Sequence, residues 1–212
     1  MFDRVYVIHL PNAEWGASID RQLESMGWRV TFVHADPLPK GFQMTNMRRN
    51  PGAEFGVNLS HIKAVVQAIA DWATCPMFLE DDVVFSENAT ERLAEAVKDL
   101  PPDWDILYLG GHPRGPATRV SDKLVKVNQF SFAEAYAING STALRQLFDT
   151  WCDRIGKPNA MYDFILSDFA SRMHAYCAYP LITSQPPGHS IVRGEPDDKR
   201  GLIQKGWANN LK

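Results

Sequence analysis

The chain has 212 residues, 45% of them hydrophobic and 22% charged, an ordinary globular balance in a length that suits one well-buried domain. A formal net charge of -3 leaves no broad basic surface, which argues against a nucleic-acid partner. Three scattered cysteines, Cys75, Cys152 and Cys177, suggest neither a disulfide framework nor a zinc site, but reduced and mostly buried thiols in a reducing compartment.

The sequence begins directly on a candidate strand, Val5 to Leu10, with no charged leader and apolar segment before it. No run approaches the length of a bilayer span, so a cytoplasmic protein without a transmembrane segment is expected. Ala17 to Met26 reads as a helix closed by Gly27, and Arg29 to His34 as a second strand. Pro37 to Gly56 is rich in Pro, Gly and Asn and reads as a long loop. A helix is expected from about Ser60 to Trp72, with Ile62, Val65, Val66, Ile69 and Trp72 at helical spacing. Met77 to Leu79 forms a short buried strand. Ser86 is a candidate N-cap for a helix carrying Leu93, Ala96, Val97 and Leu100 on one face, ended by Pro101-Pro102.

Trp104 to Leu109 reads as a strand ending at Gly110-Gly111, and Leu124 to Val127 and Ala135 to Ile138 as further strands. Ser141 to Trp151 and Tyr162 to Met173 read as helices, and Tyr176 to Ile182 as a late strand. From about residue 183 the tail reads as irregular. The alternation predicts one α/β domain over residues 1–212, with a central, mainly parallel sheet flanked by helices.

The chemistry concentrates in Glu80-Asp81-Asp82, directly behind the apolar Met77-Phe78-Leu79. Adjacent carboxylates repel unless a positive partner lies among them, and a hard divalent cation prefers oxygen ligands. In open α/β sheets, ligands gather beyond the carboxyl ends of strands, where this cluster falls. In an extended segment Glu80 and Asp82 share one side and Asp81 the other. Two acids can then share a cation while the third meets a ribose hydroxyl or a basic group. A solvated turn is the alternative. A phosphohydrolase with a strand-terminal Asp nucleophile is disfavoured, because its first position here is the longer Glu80.

His189 is an acceptable Mn²⁺ ligand if its loop reaches the metal, and otherwise an ordinary surface histidine. The segment Glu54 to His61 carries acid, glycine, hydroxyl and imidazole at a helix entrance. It could favour a diphosphate, or simply cap the helix through Asn58 or Ser60. Gly110 and Gly111 suit a turn or a close approach of backbone to ligand. Asp163 fits the favourable first turn of a helix.

Five stretches, in order, resemble glycosyltransferase family 25, the lipopolysaccharide-core and collagen-type galactosyltransferases. They are Val5 to Leu10, Glu54-Phe55-Gly56 through Leu59-Ser60-His61, Phe78 to Val83, Trp104 to Gly110, and Ala135 to Ile138. The resemblance implies a GT-A-like nucleotide-binding fold with Glu80-Asp81-Asp82 as its Asp-x-Asp-like motif. It implies Mn²⁺ (or Mg²⁺) as cofactor, a UDP-sugar donor carrying galactose or glucose, a glycan or other hydroxyl acceptor, and inversion at the anomeric carbon. It assigns Glu80, Asp82 and His189 to the metal, and His9, Leu10, Glu54, Ser60, His61, Asp81, Gly110 and Gly111 to the nucleotide. Asp163 becomes the candidate base, with Glu134 and Asp168 next. The segment Asn12 to Gly16 lacks the arginine that usually follows the first strand in the family. A non-catalytic nucleotide- or glycan-binding protein on the same fold is the rival expectation.

Overall fold

The computed structural model describes residues 2–9, 16–35, 51–155, 157, 160–190 and 195–212, with backbone alone for 16–17, 51–54, 188–190 and 195–197. The first half of the chain runs β1 (Arg4–His9), α1 (Gly16–Ser25), β2 (Val30–His34), α2 (Pro51–Ala70), β3 (Pro76–Glu80), β4 (Val84–Phe85), α3 (Ala89–Lys98) and β5 (Ile106–Tyr108). Short strands β6 (His112–Pro113), β7 (Thr118–Arg119), β8 (Leu124–Val127) and β9 (Phe130–Ser131) lead to β10 (Ala135–Ile138). Then come α4 (Ser141–Arg154), α5 (Tyr162–Ala170), β11 (Ala175–Ala178), β12 (Thr183–Ser184), β13 (Gly188–Ser190), β14 (Glu195–Asp197) and α6 (Arg200–Asn210).

The main sheet has the order β2-β1-β3-β10-β5-β11-β8-β7. Strands β1, β2, β3, β5, β7 and β11 point one way, and β8 and β10 the other, so the expected mainly parallel sheet is present. Its central strands read as apolar runs because both faces are covered. Tyr6, Ile8, Phe78, Ile106, Tyr108, Tyr136 and Ile138 alternate onto one face, packed with side chains of α2, α4 and α5. Val5, Val7, Met77, Leu79, Leu107, Leu109, Ala135 and Ala137 alternate onto the other, packed with α1 and α3. Each fully buried aliphatic side chain among them contributes roughly 1.5–3 kcal/mol.

Several boundaries differ from the sequence reading. Residues 51–56 open α2 rather than belonging to a loop, and α2 ends at Ala70. Pro51 in its first turn has no amide hydrogen to leave unsatisfied. Asn58 and Ser60 are therefore interior residues, not caps. Ser60 Oγ donates to the Gly56 carbonyl at 2.7 Å, one turn back. Trp72 is 88% exposed at φ 56, outside the helix, and Val66 is also exposed; the buried stripe of α2 is His61, Ala64, Val65 and Ala68. Ser86 does not cap α3. Asn88 takes that position at φ 55, and Ser86 Oγ instead accepts from Arg92. The described residues of the tail from 183 form three short strands and α6. Gly27, at φ 68, closes α1 as expected. Of the cysteines, Cys177 is buried but Cys152 is exposed.

Asn58 ties α2 to α4 and to the segment that leads into α5. Its Nδ2 donates to the Ala160 carbonyl at 2.5 Å, and its Oδ1 accepts from Trp151 Nε1 at 3.2 Å, all out of solvent. Asn58→Ala should leave both partners unsatisfied and destabilise the protein by about 3 kcal/mol, read from urea unfolding. A loss below about 1 kcal/mol would show that these bonds are dispensable.

Candidate active site

The carboxyl ends of β1, β3 and β5 meet the entrance of antiparallel β10 at one edge of the sheet. Glu80 N donates to the Glu134 carbonyl at 2.9 Å, and Leu109 N to the Ala135 carbonyl at 3.0 Å. This pairing brings His9, Glu80, Gly110 and Glu134 to the same edge, where an α/β sheet keeps its ligands.

The acidic run divides as its alternation requires. Glu80 Oε2 and Asp82 Oδ1 converge on one atom, Gln185 Nε2, at 2.5 and 2.9 Å. Asp81 turns away and meets His9 Nδ1 at 3.0 Å. Gln185 follows β12, which antiparallel pairing with β4 fixes beside the acids. Its amide nitrogen faces the carboxylates because they can only accept. Its carbonyl accepts from Lys199 Nζ at 2.5 Å.

His61 supports Glu80 from below. It is 1% exposed, stacked on Tyr162 with ring centroids 4.4 Å apart, and its Nδ1 lies 3.1 Å from Tyr136 Oη. His61 Nε2 approaches Glu80 Oε1 at 3.5 Å, close enough for an ion pair though not for a formed hydrogen bond. Burial alone would raise the Glu80 pKa; the His61 contact, the Lys199 charge and a Tyr162 hydroxyl outweigh it and hold the carboxyl below its usual range. Asp82 goes the other way. Burial, reinforced by the Glu80 charge, pushes it up to about 7 against the opposing effects of Gln185 and Lys199.

Glu134 lies behind this pair, almost fully enclosed, with Oε1 accepting from Thr183 Oγ1 at 3.2 Å. Burial pushes its carboxyl up to about 8. Gly110 makes the room for it: a Cβ there would fall 1.8 Å from Glu134 Oε1. Gly111 is needed for a different reason, its φ of +103.

Asp163 sits in the first turn of α5 and accepts from the backbone N–H groups of Phe132 and Ala133 at 3.2 and 3.3 Å. Burial raises its pKa while the Lys199 charge and these two bonds oppose the rise. It therefore holds the chain leading into Glu134. Asp168 is elsewhere, paired with Arg154 at 3.0 Å.

Among the expected site residues, His9, His61, Glu80, Asp81, Asp82, Gly110 and Gly111 come together at this edge. Ser60 spends its hydroxyl on its own helix. Leu10 lies outside the described residues, as do the side chains of Glu54 and His189; the His189 backbone pairs with Pro196 in β13–β14. Among the described residues no three His, Cys, Asp or Glu side chains are grouped as metal ligands. Two carboxylate oxygens converging on one point, with an amide beside them, nevertheless form a donor set that fits a hard cation such as Mn²⁺ or Mg²⁺. Gln185 and Lys199 were not expected, since nothing local in the sequence ties the tail to a strand end a hundred residues earlier.

No protein-family model matches the chain. It is 34% identical over 110 residues, 48% of its length, to a procollagen lysyl hydroxylase and glycosyltransferase of Acanthamoeba polyphaga mimivirus, and spans 12% of that relative. Among solved structures it is similar to a glycosyltransferase involved in glycosylation of the major capsid of PBCV-1, at TM-score 0.47 and 11% identity, covering 75% of this chain and 70% of that one. A197 from STIV gives TM-score 0.45 at 12% identity, covering 84% and 81%. No helix among the described residues is long and apolar enough to cross a membrane.

Proposed function

We propose that this protein is a glycosyltransferase of the family 25 kind, with a GT-A-like fold, that moves a hexose from a UDP-sugar to a hydroxyl of a glycan or other acceptor. The observation that carries the reading is the convergence of Glu80 Oε2 and Asp82 Oδ1 at the carboxyl end of β3, beside the ends of β1 and β5. The partial similarity to a relative named as a hydroxylase and glycosyltransferase supports it.

Glu80 and Asp82 would hold Mn²⁺ or Mg²⁺, with His189 as a further ligand. A bound cation supplies charge stabilisation at the departing diphosphate. His61 and Tyr162 keep Glu80 ionised and oriented for that task. His9 and Asp81 form the wall for the nucleotide. A carboxylate must take the acceptor proton. Asp163 is our candidate, its basicity raised by burial and its orientation fixed by two backbone N–H groups, with Glu134 as the alternative. Attack from the face opposite the diphosphate inverts the anomeric carbon.

Calorimetry with UDP, with and without Mn²⁺, followed by hydrolysis assays on UDP-galactose and UDP-glucose, tests the reading. Mn²⁺-dependent UDP binding with donor turnover is expected. Binding without hydrolysis or transfer to any of a broad acceptor panel would make the protein a non-catalytic nucleotide binder. No UDP binding in either condition would overturn the reading altogether.

A further inference from the structure

Lys199 precedes α6 as its N-cap residue, and its side chain reaches into the acid cluster from the C-terminal segment. Among the described residues its hydrogen-bond partner is a neutral amide oxygen, Gln185 Oε1, and its Nζ lies 5.2 Å from the centre of the Phe132 ring. Its field favours the ionised forms of Glu80, Asp82, Glu134 and Asp163. An ammonium surrounded by acids is here held one amide away from the nearest of them, with Gln185 spanning the gap to Glu80 and Asp82.

A neutral amide is a weak hold on a cation compared with a charged phosphate oxygen. Two carboxylates and one divalent cation cancel in charge, so they leave unbalanced the negative charge that a departing nucleoside diphosphate gains. A further positive group at the same edge would offset that charge, and Lys199 is placed to supply it.

We propose that Lys199 is a diphosphate-binding residue, parked on Gln185 and transferred to a β-phosphate oxygen of the donor when nucleotide enters. The proposal rests on the nucleotide-sugar reading above. Glu80 and Asp82 would hold the cation where they now hold the Gln185 amide nitrogen, so in the metal-loaded protein Gln185 would no longer be fixed as the acceptor for Lys199.

The test is calorimetric titration of UDP and UMP, each with saturating Mn²⁺, into the wild-type protein, Lys199→Met and Lys199→Arg. Lys199→Met should weaken UDP binding by about tenfold, the worth of one charge-assisted bond, and leave UMP, which has no β-phosphate, at its wild-type affinity. Lys199→Arg should restore UDP to within about threefold of wild type, since a guanidinium also binds phosphate. Unchanged UDP affinity in Lys199→Met would overturn the proposal while the donor reading stands. Equal losses for UDP and UMP would also overturn it, showing a structural clamp. A wild-type protein that binds no UDP would sink both together.

Discussion

Asp82→Ala should abolish Mn²⁺-dependent UDP binding and lower sugar transfer by at least roughly 10³-fold, the scale of several kcal/mol that a bound metal supplies. The fold should survive, because Asp82 lies in the turn after β3 and outside both apolar clusters. Its carboxyl is in fact a burden at neutral pH. Burial and the Glu80 charge raise its pKa to about 7, so the ionised form costs free energy that alanine does not. Lost activity should therefore come with equal or higher stability at pH 8. Thermal unfolding with and without Mn²⁺ separates the two effects. Wild type should gain stability from the metal and Asp82→Ala should not. Full transfer by wild type in excess chelator would remove the metal from the mechanism.

What could be read from the sequence is what depends on short-range periodicity. The strands around Val5, Met77, Leu107 and Ala135 are apolar in both phases of the alternation, and the sheet buries both their faces. The same period of two separated Glu80 and Asp82 from Asp81, and the structure places them so. The N-terminus of α2 was within reach of a closer reading, since Pro51 is a helix-start signal hidden in a stretch dense with breakers. Helix α6 was not. Gly201 and Gly206 lie inside it, a poor helical propensity. Tertiary contacts override that propensity: Trp207 is 6% exposed, its Nε1 donates to the Gly111 carbonyl at 2.9 Å, and Gly206 packs on His112 where any Cβ would clash. Gln185, Lys199 and the placement of Glu134 beside Glu80 depend on pairings between distant segments, which no local pattern encodes.

Glu134→Gln should change how stability depends on pH by a large amount. Glu134 is 2% exposed, and burial, reinforced by the charge of Glu80, pushes its carboxyl up to about 8 from the ordinary 4.5. Between those two values the native state keeps a proton that the unfolded chain has lost. Stability from this group therefore falls as pH rises through that window, by about 1.4 kcal/mol per pH unit, and levels off above pH 8. Other groups add slopes of their own, so the informative quantity is the difference between variant and wild type. That difference should be small at pH 5 and favour Glu134→Gln by on the order of 3 kcal/mol at pH 8, measured by urea unfolding across the range. A pH-independent difference would mean that Glu134 is ionised in the folded protein and offset by a cation. The same variant also bears on the base. Transfer kept within about threefold leaves Asp163 as the proton acceptor, whereas a loss of roughly 10²-fold or more gives that role to Glu134.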